Sequence, residues 1–261
     1  MIYRQMQSTD LPEVAALLRN SFSPRLRRYM TYTQHGIDSF LGARLAHPRS
    51  FPQQFFGVAA NESGRVLGYA DFRLSSATEA FLAYVCVSED ARRLGVATGL
   101  IEHFSGPRAS LECIELDVFV DNASALSLYR RLGFASTGEG STWLCRKLPA
   151  PSTGLKVSEL TASCAAHTVY GFCEFRVEWD DREIKLGRIG AEVLRCFVPE
   201  TFRDDNLLAA VRATFPRARQ ALTIVASGDV DVEDTIYRVL VESMRLKRSV
   251  GTVMDRAPGN T

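Results

Sequence analysis

Val87-Ser-Glu-Asp-Ala-Arg92-Arg93-Leu94-Gly95-Val96-Ala97-Thr98-Gly99-Leu100 joins an apolar strand to an amphipathic helix through the pattern Arg-x-x-Gly-x-Ala. The first four N–H groups of a helix lack intrahelical partners, and the aligned peptide dipoles favour an anion beside them. Gly95 and Ala97 keep side chains clear of those amides, and Arg92 and Arg93 add positive charge. A pyrophosphate fits such a junction. By itself the six-residue pattern also opens helices for purely structural reasons, so its meaning depends on the residues C-terminal to it.

There, residues 114–122 alternate apolar and polar positions like a strand, and residues 123–132 read as a helix that stops at Gly133-Phe134. The spacing Leu116-x-Val118-x-x-x-Asn122-x-x-Ala125-x-x-x-Tyr129-x-x-x-Gly133-Phe134, placed after Arg-x-x-Gly-x-Ala, resembles the GNAT family of N-acetyltransferases. That resemblance covers residues 1–148. It implies an α/β (α+β) fold with a mixed, splayed central sheet that wraps acetyl-CoA between two parallel strands. Upstream residues agree with it. Ile2 to Met6 reads as a first strand, Asp10 as the cap of a helix with Leu11, Val14, Leu17 and Leu18 on one face, and residues 55–60 and 65–73 as a hairpin. Residues 80–87 read as the strand that delivers the loop. Residues 21–50 carry few strand signals, and in the family this region borders the acceptor.

The chain has 261 residues, 46% of them hydrophobic, and a formal net charge of +1, which gives no general nucleic-acid footprint and suits two modest domains. No apolar run approaches the roughly 20 residues that cross a bilayer, and the N-terminus lacks the apolar core of a signal peptide. A cytoplasmic protein without membrane or nucleic-acid partners is expected, and a homodimer stays open. Cysteines at 86, 113, 145, 164, 173 and 196 show no Cys-x-x-Cys pairing and read as buried reduced thiols. His35, His47, His103 and His167 form no ligand spacing, so no metal is expected.

Two prolines, a serine and a glycine in 149–154 mark a linker, dividing the chain into a GNAT domain at 1–148 and a second α/β domain at 155–261. The second part reads as strands at 168–179 and 183–198, a helix at 205–214, a strand at 221–226 and a helix from 233. Val198-Pro-Glu-Thr-Phe-Arg203 parallels Val87 to Arg92, and Ile236-Tyr237-Arg238-x-Leu240 parallels Leu128-Tyr129-Arg130-x-Leu132, which suggests a degenerate repeat of the first domain. In that copy Asn206 replaces Gly95, and Asp204 and Asp205 stand where a pyrophosphate would approach. An unrelated α/β domain with accidental similarities is the alternative.

The resemblance implies that backbone groups of Val85, Cys86 and Val87 pair with the pantetheine arm, and that Arg92, Arg93, Leu94, Gly95, Val96, Ala97 and Thr98 hold the pyrophosphate. Acetyl then passes directly to a primary amine, with small molecules as the default acceptor, and the Val87 N–H as candidate oxyanion donor. A protein, peptide or aminoacyl acceptor docked by the second domain, or a silent coenzyme-binding regulator, are the other readings. The resemblance assigns Tyr129 as the acid that serves the leaving thiolate; the alternative is a buried helix tyrosine. Asn122 caps the helix after it and, in the family, also touches the coenzyme arm. Cys86 on an apolar strand reads as packing in preference to an acyl carrier. Glu79 is a candidate base, two residues out of the desired register, and equally a solvated strand-edge residue. Arg25, Arg27 and Arg28 gather three guanidinium groups for an anionic acceptor group; a solvated basic patch is the alternative.

Overall fold

The computed structural model describes residues 1–230 and 235–250. Its elements run β1 (Ile2–Gln5), α1 (Leu11–Ser21), α2 (Pro24–Arg27), α3 (Ile37–Ala46), β2 (Gln54–Ala60), β3 (Val66–Leu74), β4 (Glu79–Val87), α4 (Val96–Ser105), β5 (Cys113–Phe119), α5 (Ala123–Arg131) and β6 (Ala135–Lys147). They continue with β7 (Val157–Ser158), α6 (Leu160–Tyr170), β8 (Phe172–Trp179), β9 (Arg182–Ile189), β10 (Val193–Cys196), α7 (Pro199–Arg203), α8 (Asp205–Thr214), β11 (Gln220–Ala226) and β12 (Arg238–Ser249). Among the described residues no helix is long and apolar enough to cross a membrane.

Two compact units form, and neither is a continuous stretch of chain. The first holds Met1–Ser21, Leu41–Glu139 and, of the described residues, 243–250; the second holds Phe22–Phe40 and Gly140–Glu242. These units cut across the division expected at 149–154. The physical reason is that strand pairing is non-local, whereas Pro, Ser and Gly mark only where the chain turns.

In the first unit the strand order is β1-β2-β3-β4-β5-β12. Neighbours are antiparallel except β4 and β5, which are parallel. The second unit repeats this as β7-β8-β9-β10-β11-β6, with the one parallel pair between β10 and β11. The repeat is therefore real at the level of topology, and the last strand of each sheet comes from the other half of the sequence. One part of the residue-level comparison fails. The helix expected from 233 begins at positions outside the described residues, and Arg238 onward is β12 instead, so Tyr237 is no counterpart of helical Tyr129.

The first unit's core lies between the sheet and α4, where Phe72 and Phe104 stack at 3.8 Å between ring centroids among Ile101, Ile114 and Leu116. The second unit's core gathers Phe175, Leu186, Leu194, Phe202, Leu208 and Val211 around α8. Residues 160–170, not foreseen as a helix, form α6, which ends on Gly171 at φ +78.

Candidate functional site

β4 runs beside β5 only from Glu79↔Cys113 to Leu82↔Leu116, and beyond Leu82 the two parallel strands no longer pair. The register against β3 slips at the same place, so Ala83 is a bulge between Leu82↔Phe72 and Tyr84↔Asp71. An inserted residue flips the faces of everything after it. Ala80 and Leu82 point into the core before the bulge, and Val85 and Val87 pack against it afterwards. The bulge thus turns the backbone of Val85, Cys86 and Val87 away from β5, leaving a gap that an extended ligand arm can enter as an added strand.

The loop at the end of β4 leads into α4 through Gly95. Gly95 is the N-cap of α4 at φ 80, ψ 5, a left-handed conformation that favours glycine, and a Cβ there would meet nothing within 4 Å. Arg92, Arg93 and Leu94 are exposed, Val96 is buried, and Arg93 also has a positive φ of 66. Two glycines hold the helix close to the sheet at this level. A Cβ on Gly68 would lie 2.5 Å from Val96 Cγ1, and one on Gly99 would lie 2.1 Å from the Tyr3 ring. Gly68 pairs with Val87, so the first turn of α4 sits level with the last residue of β4. The donor set, ten-residue helix and open cap fit a coenzyme A pyrophosphate.

Tyr129 on α5 is buried in the same core and makes an edge-to-face contact with Phe134 at 5.5 Å. Burial, with the nearby Cys86 thiol adding to it, pushes the phenol well above its ordinary value, so it stays protonated. The Cys86 thiol is itself pushed up to about 11 by burial, which keeps it neutral and poorly nucleophilic. Asn122 caps α5, its Oδ1 accepting the Ala125 N–H at 3.1 Å.

Glu79 lies far along the strand from this cleft. Glu79 opens β4, eight residues or about 26 Å along the strand from Val87 at ~3.3 Å per residue; it faces Lys247 Nζ at 3.7 Å and Cys113 Sγ at 3.6 Å. Arg25, Arg27 and Arg28 belong to the second unit. The Nε of Arg27 donates to the Phe22 carbonyl at 2.8 Å, while Arg25 and Arg28 are exposed. The bulge at Ala83 was missed by sequence reasoning. Its trace is the parity change along 79–87, which an almost wholly apolar strand hides.

In the second unit the equivalent helix start is filled from within. Asp204 caps α8, accepting the Leu207 N–H at 2.9 Å, and its other oxygen accepts Trp179 Nε1–H at 2.9 Å. Asp205 pairs with Arg146. A carboxylate thus takes one of the amides that a phosphate would need.

Two units with the same strand order define a tandem α/β fold. Residues 12–134 match the model of the Acetyltransferase (GNAT) family. Over 96% of this chain the fold is shared with 98% of a tandem GNAT protein from the clavulanic acid biosynthesis pathway, at TM-score 0.63 and 11% identity. It is shared over 95% of both chains with a GCN5-related N-acetyltransferase from Sphaerobacter thermophilus, at TM-score 0.57 and 12% identity. No curated protein matches the sequence.

Proposed function

We propose that the protein is an acyl-CoA-dependent N-acyltransferase that moves acetyl from acetyl-CoA directly to a primary amine of a small molecule, using the first unit alone. The observation that carries this reading is the conjunction of the bulged, splayed β4 with the open Gly95 cradle at its end. In the reaction the neutral amine nitrogen attacks the thioester carbonyl carbon. A C–N bond forms, the C–S bond breaks, the departing thiolate is met by the Tyr129 phenol, and water takes the ammonium proton. The Val87 backbone N–H is the candidate donor to the developing oxyanion. Because burial raises the phenol's pKa, its contribution is a strong hydrogen bond to the forming thiolate ahead of complete proton transfer. Asn122 fixes α5, and so the position of Tyr129, whatever contact it makes with the coenzyme arm.

Calorimetry with acetyl-CoA tests the reading. One site per chain is expected, and Gly95→Asp should weaken binding by about tenfold or more, since the new side chain brings negative charge and backbone strain to the cradle. Two equivalent sites, or unchanged affinity in the variant, contradicts it. A screen of amines that reads out free thiol then identifies the acceptor.

A further inference from the structure

The second unit has its own parting of parallel strands. β10 pairs with β11 only from Val193↔Gln220 to Arg195↔Leu222, and beyond that level β11 runs on to Ala226 paired only with β6. Arg195 stands where the pairing stops. Leu194 and Cys196 on either side of it point into the core around α8, so Arg195 projects from the opposite face of the sheet. There it lies beside Gly187, its partner on β9, and a Cβ on Gly187 would come within 3.2 Å of the Arg195 Cβ and 3.6 Å of Phe197 Cε2. The glycine thus makes room for both side chains.

Arg195 is a half-buried charge without a partner. Its guanidinium lies 5.7 Å from the centroid of the Phe197 ring, and among the described residues no carboxylate pairs with it and no acceptor takes any of its N–H groups. Glu174, which shares this face across Gly187, is taken by Lys185 Nζ at 2.6 Å, and that ammonium lies 4.8 Å from the same Phe197 ring. Burial pulls the Arg195 guanidinium down to about 10. Taking a charge out of water costs free energy that only a partner offsets. An unfilled fork beside a ring that is 38% exposed is a seat for a ligand that brings the missing negative charge. One unpaired guanidinium matches a monoanion, since Lys185 is already neutralised by Glu174. We propose that the second unit binds a small carboxylate where β10 and β11 part, its two oxygens on the Arg195 fork and its apolar body against Phe197. The site lies outside the first unit and does not depend on the transferase reading.

The probe is para-fluorobenzoate, followed by fluorine NMR on the full chain. Saturable binding with Kd on the order of 1 mM is expected for a ligand of this size. The neutral para-fluorobenzamide, and para-fluorobenzoate on Arg195→Met, should each bind about tenfold more weakly or worse. Arg195→Met should also melt at a higher temperature than the unaltered chain, because it keeps the apolar stem and removes an unpaired charge, an effect opposite to that of losing a structural arginine. Phe197→Glu, at an exposed position, should abolish binding with Arg195 still in place, since the new carboxylate takes the fork, and this covers the case of Arg195→Met failing to fold. Gly95→Asp should bind the probe as the unaltered chain does, so loss of acetyl-CoA binding there is read separately. Equal binding of acid and amide, full binding by Phe197→Glu, a lower melting temperature for Arg195→Met, tighter binding of para-fluorophenyl phosphate, or loss of binding in Gly95→Asp would each overturn the proposal.

Discussion

Tyr129 and Tyr237 share a local sequence and differ in everything around them. Tyr129 is buried on a helix beside the cleft, whereas Tyr237 lies just before β12 and packs against Phe202 of its own unit at 6.2 Å between ring centroids. Tyr129→Phe is expected to lower kcat by about 10²-fold or more with acetyl-CoA affinity within twofold, because the phenol acts on the departing sulfur more than on the ground state. Tyr237→Phe should leave kcat unchanged. Turnover and calorimetry on both folded variants check this, and equal losses from the two would make Tyr129 a packing residue. The raised phenol pKa adds a sign to the pH profile. The protonated form persists above its ordinary range, so no alkaline loss of activity belongs to Tyr129 below pH about 10.

At the scale of elements, the corner between β1 and α1 shows what a local pattern reveals and what it hides. Asp10 was legible as a capping acid because it precedes an apolar helical stripe, but its carboxylate accepts the N–H of Gln7 at 2.7 Å and a two-pronged contact from Arg4 at 2.6 and 2.8 Å. The Arg4 hydrogen bond, ahead of the Gln7 amide, holds the Asp10 carboxyl below its usual range. A depressed carboxyl stabilises the fold above its unfolded pKa and loses that increment as pH falls through the folded value. Asp10→Asn should therefore cost about 2 kcal/mol at pH 7, and the difference should shrink towards pH 3. Urea midpoints of both proteins at the two pH values measure it, and a constant difference refutes the assignment. The same contrast holds elsewhere. The junction from Val87 to Leu100 was readable because helix caps and glycine conformations are set within a few residues. The bulge at Ala83 and the surroundings of Glu79 depend on partners distant in sequence. Apolar runs without alternation carry no register, and an exposed arginine carries no address.

For the whole molecule the decisive feature is the last strand of each sheet. β12 completes the first unit from more than a hundred residues away, pairing Ser243↔Phe119 through Ser249↔Cys113. Its side chains are matched to that place. Arg245 grips Asp117 at 2.6 Å, Lys247 meets Glu115 at 3.0 Å, and Leu246 is buried in the core that holds Tyr129. In return β6 pairs with β11 along Lys147↔Gln220 to Ser141↔Ala226 and closes the second unit. Neither half of the sequence thus contains a finished sheet, which explains why a linear boundary read from prolines and glycines could not describe the units. Under the proposed function, coenzyme binding by residues 85–129 is expected to require residues 243–249. A chain stopped after Glu242 leaves β5 as an unpaired edge and removes Leu246, a loss of about 2–5 kcal/mol for the side chain alone. That chain is expected to lose acetyl-CoA binding by tenfold or more and to melt at lower temperature. A control stopped after Val250 keeps β12 whole and should bind as the full chain does. Calorimetry and thermal melts of the three proteins decide the matter: full affinity and unchanged Tm after Glu242 would show that the first unit stands without its borrowed strand.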